Sequence, residues 1–343
     1  NPSNNSLNGI SLNSFLGKSH VEDFTAGMAL SWEADVWGKI RRQKEATVAQ
    51  YLQTYEAAKA VQTQLVSTIA QGFYNLLMLD AQLEIARKNL ALNDSTLLFT
   101  RLQRDAGEVT TLAVQRAEAQ RQSTALLIPQ FQQDITVQEN ELSILTGLLP
   151  DTIRRQVKLK QFTVPENLSS GLPSAIVSRR PDVRANEMAL IAANAQAGVA
   201  QGNMYPSLNI TAAGGLNSYL ASNWFNIPSS LFGTVAGSLT QSVFQRRQLR
   251  TDLQIARIQR EEAVIQFKQS VLYAVGEVSD ALVRTERLKQ RQQIAAAQVD
   301  TLRLAVKNAR LLFKSGMANY LEVITAQEDA LEAELNLASI ERQ

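Results

Sequence analysis

Residues 24–37, FTAGMALSWEADVW, alternate between apolar and polar or small side chains, and the stretch after them, residues 39–106, has no proline and one glycine, Gly72. The first is a strand pattern. Phe24, Ala26, Met28, Leu30, Trp32, Ala34 and Val36 share one face, and Thr25, Gly27, Ala29, Ser31, Glu33 and Asp35 share the other, because alternate residues of a strand point to opposite sides. The second stretch reads as one helix from about Lys39 to about Arg104, roughly 100 Å long at ~1.5 Å per residue. Few folds let a strand feed a helix several times the usual length. A wholly apolar face opposed by a carboxylate-bearing one suits a barrel wall with lipid outside and water inside. A half-solvated antiparallel sheet alternates in the same way, and it is the helix that tips the reading toward the barrel.

Composition removes most alternatives. Aromatics are 6% and apolar residues 45% of the 343 residues, with abundant Ala, Gln and Leu, a balance that favours helix-on-helix packing. The net charge of +2 provides no field for nucleic acid or acidic substrates. There is no cysteine and one histidine, His20, so neither a disulfide framework, a thiolate or zinc site nor a histidine triad has material to work with. No apolar run reaches the ~18 residues of a membrane-spanning helix; the best candidate, Met188–Ala200, contains Asn194 and Gln196. Any membrane contact is therefore expected through strands. The opening NPSNNSLNGISLNS is polar loop composition and no leader, which predicts a chain that begins inside a larger protein.

The order along the chain is a repeat. Residues 1–37 read as loop and strand, and 38–147 as a long helical hairpin. Within that hairpin Gly107 supplies a left-handed cap, the return helix runs from about Leu112 to Thr146, and Pro129 is expected to kink it. Residues 148–180 are irregular, with a short strand expected in VKLKQFTV. A helix over 181–205 opens at Arg180-Pro181-Asp182, proline in its first turn. Two alternating strands with an aromatic loop (Tyr219, Trp224, Phe225) occupy 206–244. A second hairpin, 245–343, has its long helix from about Gln245 to Lys314 and turns at Ser315-Gly316. At a constant offset of 209, Arg101–Ala117 and Arg310–Ala326 are identical at six of 17 positions, including Gly107/Gly316, Leu112/Leu321 and Val114/Val323. Such a repeat predicts pseudo-symmetric packing.

Four stretches, in this order, resemble the TolC-like outer-membrane efflux family, in particular its drug- and metal-efflux (NodT/OprM-like) branch. They are SWEADVWGKIRR (Ser31–Arg42), LSILTGLLP (Leu142–Pro150), SRRPDVRANEMALIAANAQAGVAQGNMYPSLNITAAGG (Ser178–Gly215) and FKSGMANYLEVITAQ (Phe313–Gln327). The resemblance implies a mainly α protein with transmembrane β-structure: a homotrimer whose twelve-stranded β-barrel is continued by a long α-helical periplasmic barrel. It implies an outer membrane of a Gram-negative bacterium, a periplasmic adaptor (membrane fusion protein), an inner-membrane pump of the RND type, surrounding outer-membrane lipid, no cofactor and no nucleic acid. The family gives four strands per protomer and this chain shows three, so one strand and its preceding helices are expected to be missing, and the carboxyl end falls earlier than the family pattern.

The implied function is a passive exit duct for small molecules, drugs or metal ions. A type I protein-secretion duct and a soluble helical scaffold are the competing readings, and an enzyme is disfavoured by the missing catalytic material. Gly107, Val109, Gly316, Met317 and Ala318 are the candidate adaptor-docking tip; plain helix capping explains the two glycines equally well. Asp105, Glu108, Glu322, Glu33 and Asp35 are candidate pore or gate carboxylates, against the ordinary reading of solvated surface charges. Where many relatives have Asp before the Ala-Gln of the second hairpin, this chain has Thr325, so the family's aspartate gate does not carry over. Trp32 and Trp37 fit either an interfacial anchor or packing. No metal cluster and no nucleophile–base pair is present.

Overall fold

The computed structural model describes residues 23–161, 177–242 and 244–343. In chain order the elements are β1 (Phe24–Ala34), α1 (Lys39–Asp105), α2 (Thr111–Leu145), a 3₁₀ turn (Leu159–Gln161), α3 (Pro181–Gly202), β2 (Ser207–Ser218), β3 (Leu231–Thr240), α4 (Gln248–Lys314) and α5 (Tyr320–Arg342). They fall into two compact units. One comprises the residues up to Tyr55 with Arg184–Gln269, the other Glu56–Val183 with Ser270–Gln343.

The first unit holds an antiparallel sheet of order β1-β2-β3. Its register lines up the alternating patterns. Ala34, Trp32, Leu30 and Ala26 lie beside Leu208, Ile210, Ala212 and Leu216 of β2, and these beside Leu239, Gly237, Val235 and Leu231 of β3. The opposite face carries Glu33, Ser31 and Thr25 beside Asn209, Thr211 and Asn217. A slip by one residue would mix the two faces. The apolar face is uncovered in the protomer: Met28 is 87% and Val235 80% exposed. Glycines bring β1 and β2 together, since a Cβ at Gly215 would collide with the Ala26 carbonyl, and the Phe232 ring lies over Gly27 on the polar face.

In the second unit the hairpins pack through small and medium side chains, as the composition predicts. Leu76, Leu79, Ala86, Phe131, Ile135 and Leu142 form one buried cluster between α1 and α2. Ala295, Val299, Ala333, Leu337 and Ile340 form its counterpart between α4 and α5. Gly72 has a packing reason: a Cβ there would stand 2.8 Å from Leu142 Cδ2.

The structure changes three expectations. β1 ends at Ala34, because the Asp35 carboxylate turns back to cap α1, and Val36 is outside the strand. α4 begins at Gln248 and not Gln245, since Arg246 and Arg247 have positive φ (45° and 63°). The part of VKLKQFTV that is described forms the 3₁₀ turn and no strand; residues 162–164 lie outside the described residues, as does His20. α2 runs unbroken as a helix from Thr111 to Leu145 with Pro129 inside it.

Candidate functional site

Both hairpin ends close in one way. After α1, the Gly107 N–H donates to the Arg104 carbonyl (2.9 Å) and the Glu108 N–H to that of Gln103 (2.8 Å). After α4, the Gly316 N–H donates to Phe313 (3.2 Å) and the Met317 N–H to Leu312 (2.9 Å). These are paired bonds of a Schellman cap, which needs a left-handed residue, and Gly107 and Gly316 have φ of +79° and +74°. Gly147 ends α2 with the same two bonds. Below the turns, Leu97, Val114, Ala117 and Ile324 pack together with Tyr320 against them, and Phe99 meets Phe313 edge-on at 5.3 Å. The two hairpin ends thus share one small core.

At the surface of the turns, Met317 is 76% exposed, while Val109 and Ala318 are half-buried and no atom lies within 4 Å of a Cβ built on Gly107 or Gly316. The glycines themselves are open, and the small or apolar Val109, Met317 and Ala318 sit among charged residues of the turns. Asp105 is ion-paired to its neighbour Arg104 (2.6 Å). Glu108 is exposed on the turn and Glu322 exposed in the first turn of α5, beside the Asn319 side chain, which accepts from the Leu321 and Glu322 N–H groups. Thr325 is exposed one turn further on.

Glu33 and Asp35 stand elsewhere, in the first unit. Glu33 lies on the polar sheet face, half-buried and bonded to Lys39 (2.9 Å). Both Asp35 oxygens accept from the start of α1, from the Ile40 and Arg41 N–H groups at 2.8 Å. The Arg41 bond, more than any other influence, holds this carboxyl below its ordinary range, against some desolvation. Asp35 thus acts first as a helix cap. Trp37 stacks on Tyr205 at 4.7 Å and donates to the Pro206 carbonyl, and is still 51% exposed. Trp32 remains 59% exposed on the apolar face.

Buried polar contacts join the hairpins of the second unit. Gln327 donates to Thr96, Gln82 to Ser339 and Asn89 to Glu334. Arg155 bridges Asp80 and buried Glu139, each at 2.5 Å, and so fastens the segment after α2 to both helices of the first hairpin. Burial raises the Asp80 carboxyl although Arg155 opposes this. Arg180 grips Asp182 and reaches Glu277 of α4 at 2.7 Å, and the Arg180 bond draws the Asp182 carboxyl down. Apart from Arg180–Asp182, two residues apart in the opening of α3, these contacts had no local sequence signal, because their partners are brought together by helix packing. Among the described residues no three His, Cys, Asp or Glu side chains group as a metal site, and no helix is long and apolar enough to cross a membrane.

The sequence profile of the outer membrane efflux proteins matches residues 3–148 and 172–343. This chain belongs to that family. The cation efflux system protein CusC of Escherichia coli O6:H1 is 30% identical over 307 residues, which are 90% of this chain and 66% of that protein. The probable outer membrane lipoprotein SilC of Salmonella typhimurium is 28% identical, over 95% of this chain and 71% of its own length. The crystal structure of CusC superposes with a TM-score of 0.85 at 29% identity, covering 93% of this chain and 74% of the other. VceC of Vibrio cholerae, 23% identical with a TM-score of 0.83 over 93% of this chain and 76% of its own, shares the fold. The chain thus spans about two thirds of the length of the curated relatives it matches. Family membership makes it an outer-membrane protein of a Gram-negative bacterium, with its helical part extending into the periplasm.

Proposed function

We propose that this chain is the outer-membrane exit duct of a tripartite efflux system. As a homotrimer it passively conducts small molecules, drugs or metal ions, received from an RND-type inner-membrane pump through a periplasmic adaptor. The observation that carries this reading is the sheet register. It gathers the apolar residues of three strands on one exposed face and the polar ones on the other, as a barrel between lipid and water requires, and each outer strand is followed, after a short link, by a 67-residue helix. A soluble scaffold has no use for that apolar face. The conduit carries out no chemistry, in keeping with relatives that are efflux proteins.

In this reading the tips at Gly107 and Gly316 dock the adaptor. Small residues permit close backbone approach, and a bulky charge there would meet steric and desolvation costs. The test replaces Met317 and Ala318 with arginine and keeps Gly316, so the cap survives. The expected result in a deletion strain is a normal outer-membrane trimer with weakened adaptor crosslinking and lost efflux. Retained crosslinking and efflux would remove the tip from docking.

A further inference from the structure

The two links from sheet to helix are equivalent in the repeat and unlike in chemistry. At the offset of 209, Trp37-Gly38 before α1 corresponds to Arg246-Arg247 before α4. Gly38 takes a φ of +70° without strain. Arg247 is held at +63° and Arg246 at +45°, a region that is costly for most residues with a side chain. Glycine would make the same turn freely, so the turn does not explain two arginines. Both are exposed, and among the described residues neither makes an ion pair. Arg250, the equivalent of Arg41, adds a third cation in the first turn of α4, and between Glu187 and Asp252 the sequence contains no Asp or Glu.

Apolar side chains adjoin these charges. Phe244, two residues before Arg246, is 98% exposed. Leu239 lies beside Leu208, and Leu208 beside Ala34, in the last apolar rung of the sheet, with Trp32 one step along the same face. Between the two links lies a cleft of about 230 Å³ whose walls include Trp37, Tyr205, Thr240, Gln245 and Leu249. Glu33 and Asp35 also border it, but Lys39 and the α1 N–H groups already occupy them. The helices that start here extend into the periplasm, so the links lie at the periplasmic edge of the sheet. At such an edge aromatic rings like the Trp37–Tyr205 pair sit at the boundary, and basic residues attract anionic lipid. A guanidinium fork also matches a phosphate with two parallel bonds. We infer that Arg246 and Arg247, beside the Trp37–Tyr205 stack, bind the phosphate of an anionic phospholipid in the periplasmic leaflet, its acyl chains lying on the apolar sheet face. The inference rests on the barrel reading above and gives the charge at the rim of the sheet a partner. Bound headgroups fix the depth of the sheet in the membrane, because the arginines stay at the phosphates while Phe244 and Leu239 enter the hydrocarbon.

The test places the full-length protein in nanodiscs of phosphatidylcholine that contain brominated phosphatidylglycerol or, in parallel, brominated phosphatidylcholine. Quenching is read in variants that keep only Trp32 or only Trp37. The expected result at Trp37 is an association about fivefold or more in favour of the anionic lipid, fading at high salt. Arg246→Gly/Arg247→Gly should abolish that preference and leave a trimer at least as heat-stable as the parent, since glycine makes the turn without strain. Arg246→Lys/Arg247→Lys should keep most of it. Equal quenching by the two lipids in the parent, or an unchanged preference in the glycine variant, overturns the inference. Inorganic phosphate that erases the preference where chloride of equal ionic strength does not would make this an anion site and overturn the lipid reading. Loss of the trimer in the glycine variant overturns it in favour of a protomer contact. An altered anion-to-cation permeability with the lipid preference intact places the arginines in the lumen and also overturns it. Trp32 quenched alike by both brominated lipids, with no effect of the arginines at Trp37, leaves the barrel standing and removes the headgroup site. Trp32 quenched by neither lipid removes the barrel reading as well.

Discussion

Gly107 and Gly316 reach the same backbone geometry inside different surroundings. Around Gly107 the turn is charged and shallow: Asp105 and Glu108 flank it, and Arg104 lies on the surface paired to Asp105. Around Gly316 the equivalent of Arg104 is Phe313, 4% exposed and packed on Phe99. The equivalent of Thr110 is Asn319, which caps α5, whereas Thr110 makes no side-chain cap. Of the repeated residues, Val114 and Val323 are buried and Leu112 and Leu321 are exposed in both hairpins. The repeat thus conserves the turn and one core position. It leaves the second hairpin with the stronger anchor, and the first with a self-contained surface.

Three measurements break or sharpen this contrast. The largest effect is expected at Phe313. Phe313→Ala should cost about 3 kcal/mol of local stability, read by hydrogen exchange of α5 amides, while Arg104→Ala should stay within about 0.5 kcal/mol. Similar losses would mean that the hairpin ends are anchored alike. Next, Asn319→Ala should open the first turn of α5 by about 1 kcal/mol, and Thr110→Ala the first turn of α2 by a few tenths, about 0.3 kcal/mol. A Thr110 effect as large as that of Asn319 would show a cap that forms in solution.

The smallest effect is a pH dependence at Glu84 of the first hairpin. Bonds from Lys88 and then Lys158 hold the Glu84 carboxyl below its ordinary value of 4.5. A lowered carboxyl contributes stability above that value, and the contribution is lost as pH falls through the lowered one. Glu84 is well exposed, so the loss should be only a few tenths, roughly 0.3 kcal/mol. The repeat equivalent of Glu84 is Gln293. Acid should therefore loosen amides near Glu84, Glu84→Gln should flatten that response, and α4 near Gln293 should not share it. An equal acid response around Gln293 would place its source outside this contact.

Local pattern was enough for much of the architecture. Alternation marks three strands, the absence of proline marks two long helices, and glycine after each helix marks a turn that only a residue tolerant of positive φ can make cheaply. These signals sit within a few residues of the structure they specify, and so they survive in the sequence alone. The repeat likewise marks both hairpin ends. Tertiary structure decided what depends on partners far along the chain. The strand register turned three separate alternations into one apolar face. Asp35 went to a helix cap, its side chain being short and next to free N–H groups. Arg155 found two carboxylates on different helices. Arg310 was left without one: the repeat sets the amide Gln327 where the first hairpin has Glu118, and packing buries that amide against Thr96. An arginine reads the same in sequence whether or not it is paired; only the packed helices determine which carboxylate comes within reach.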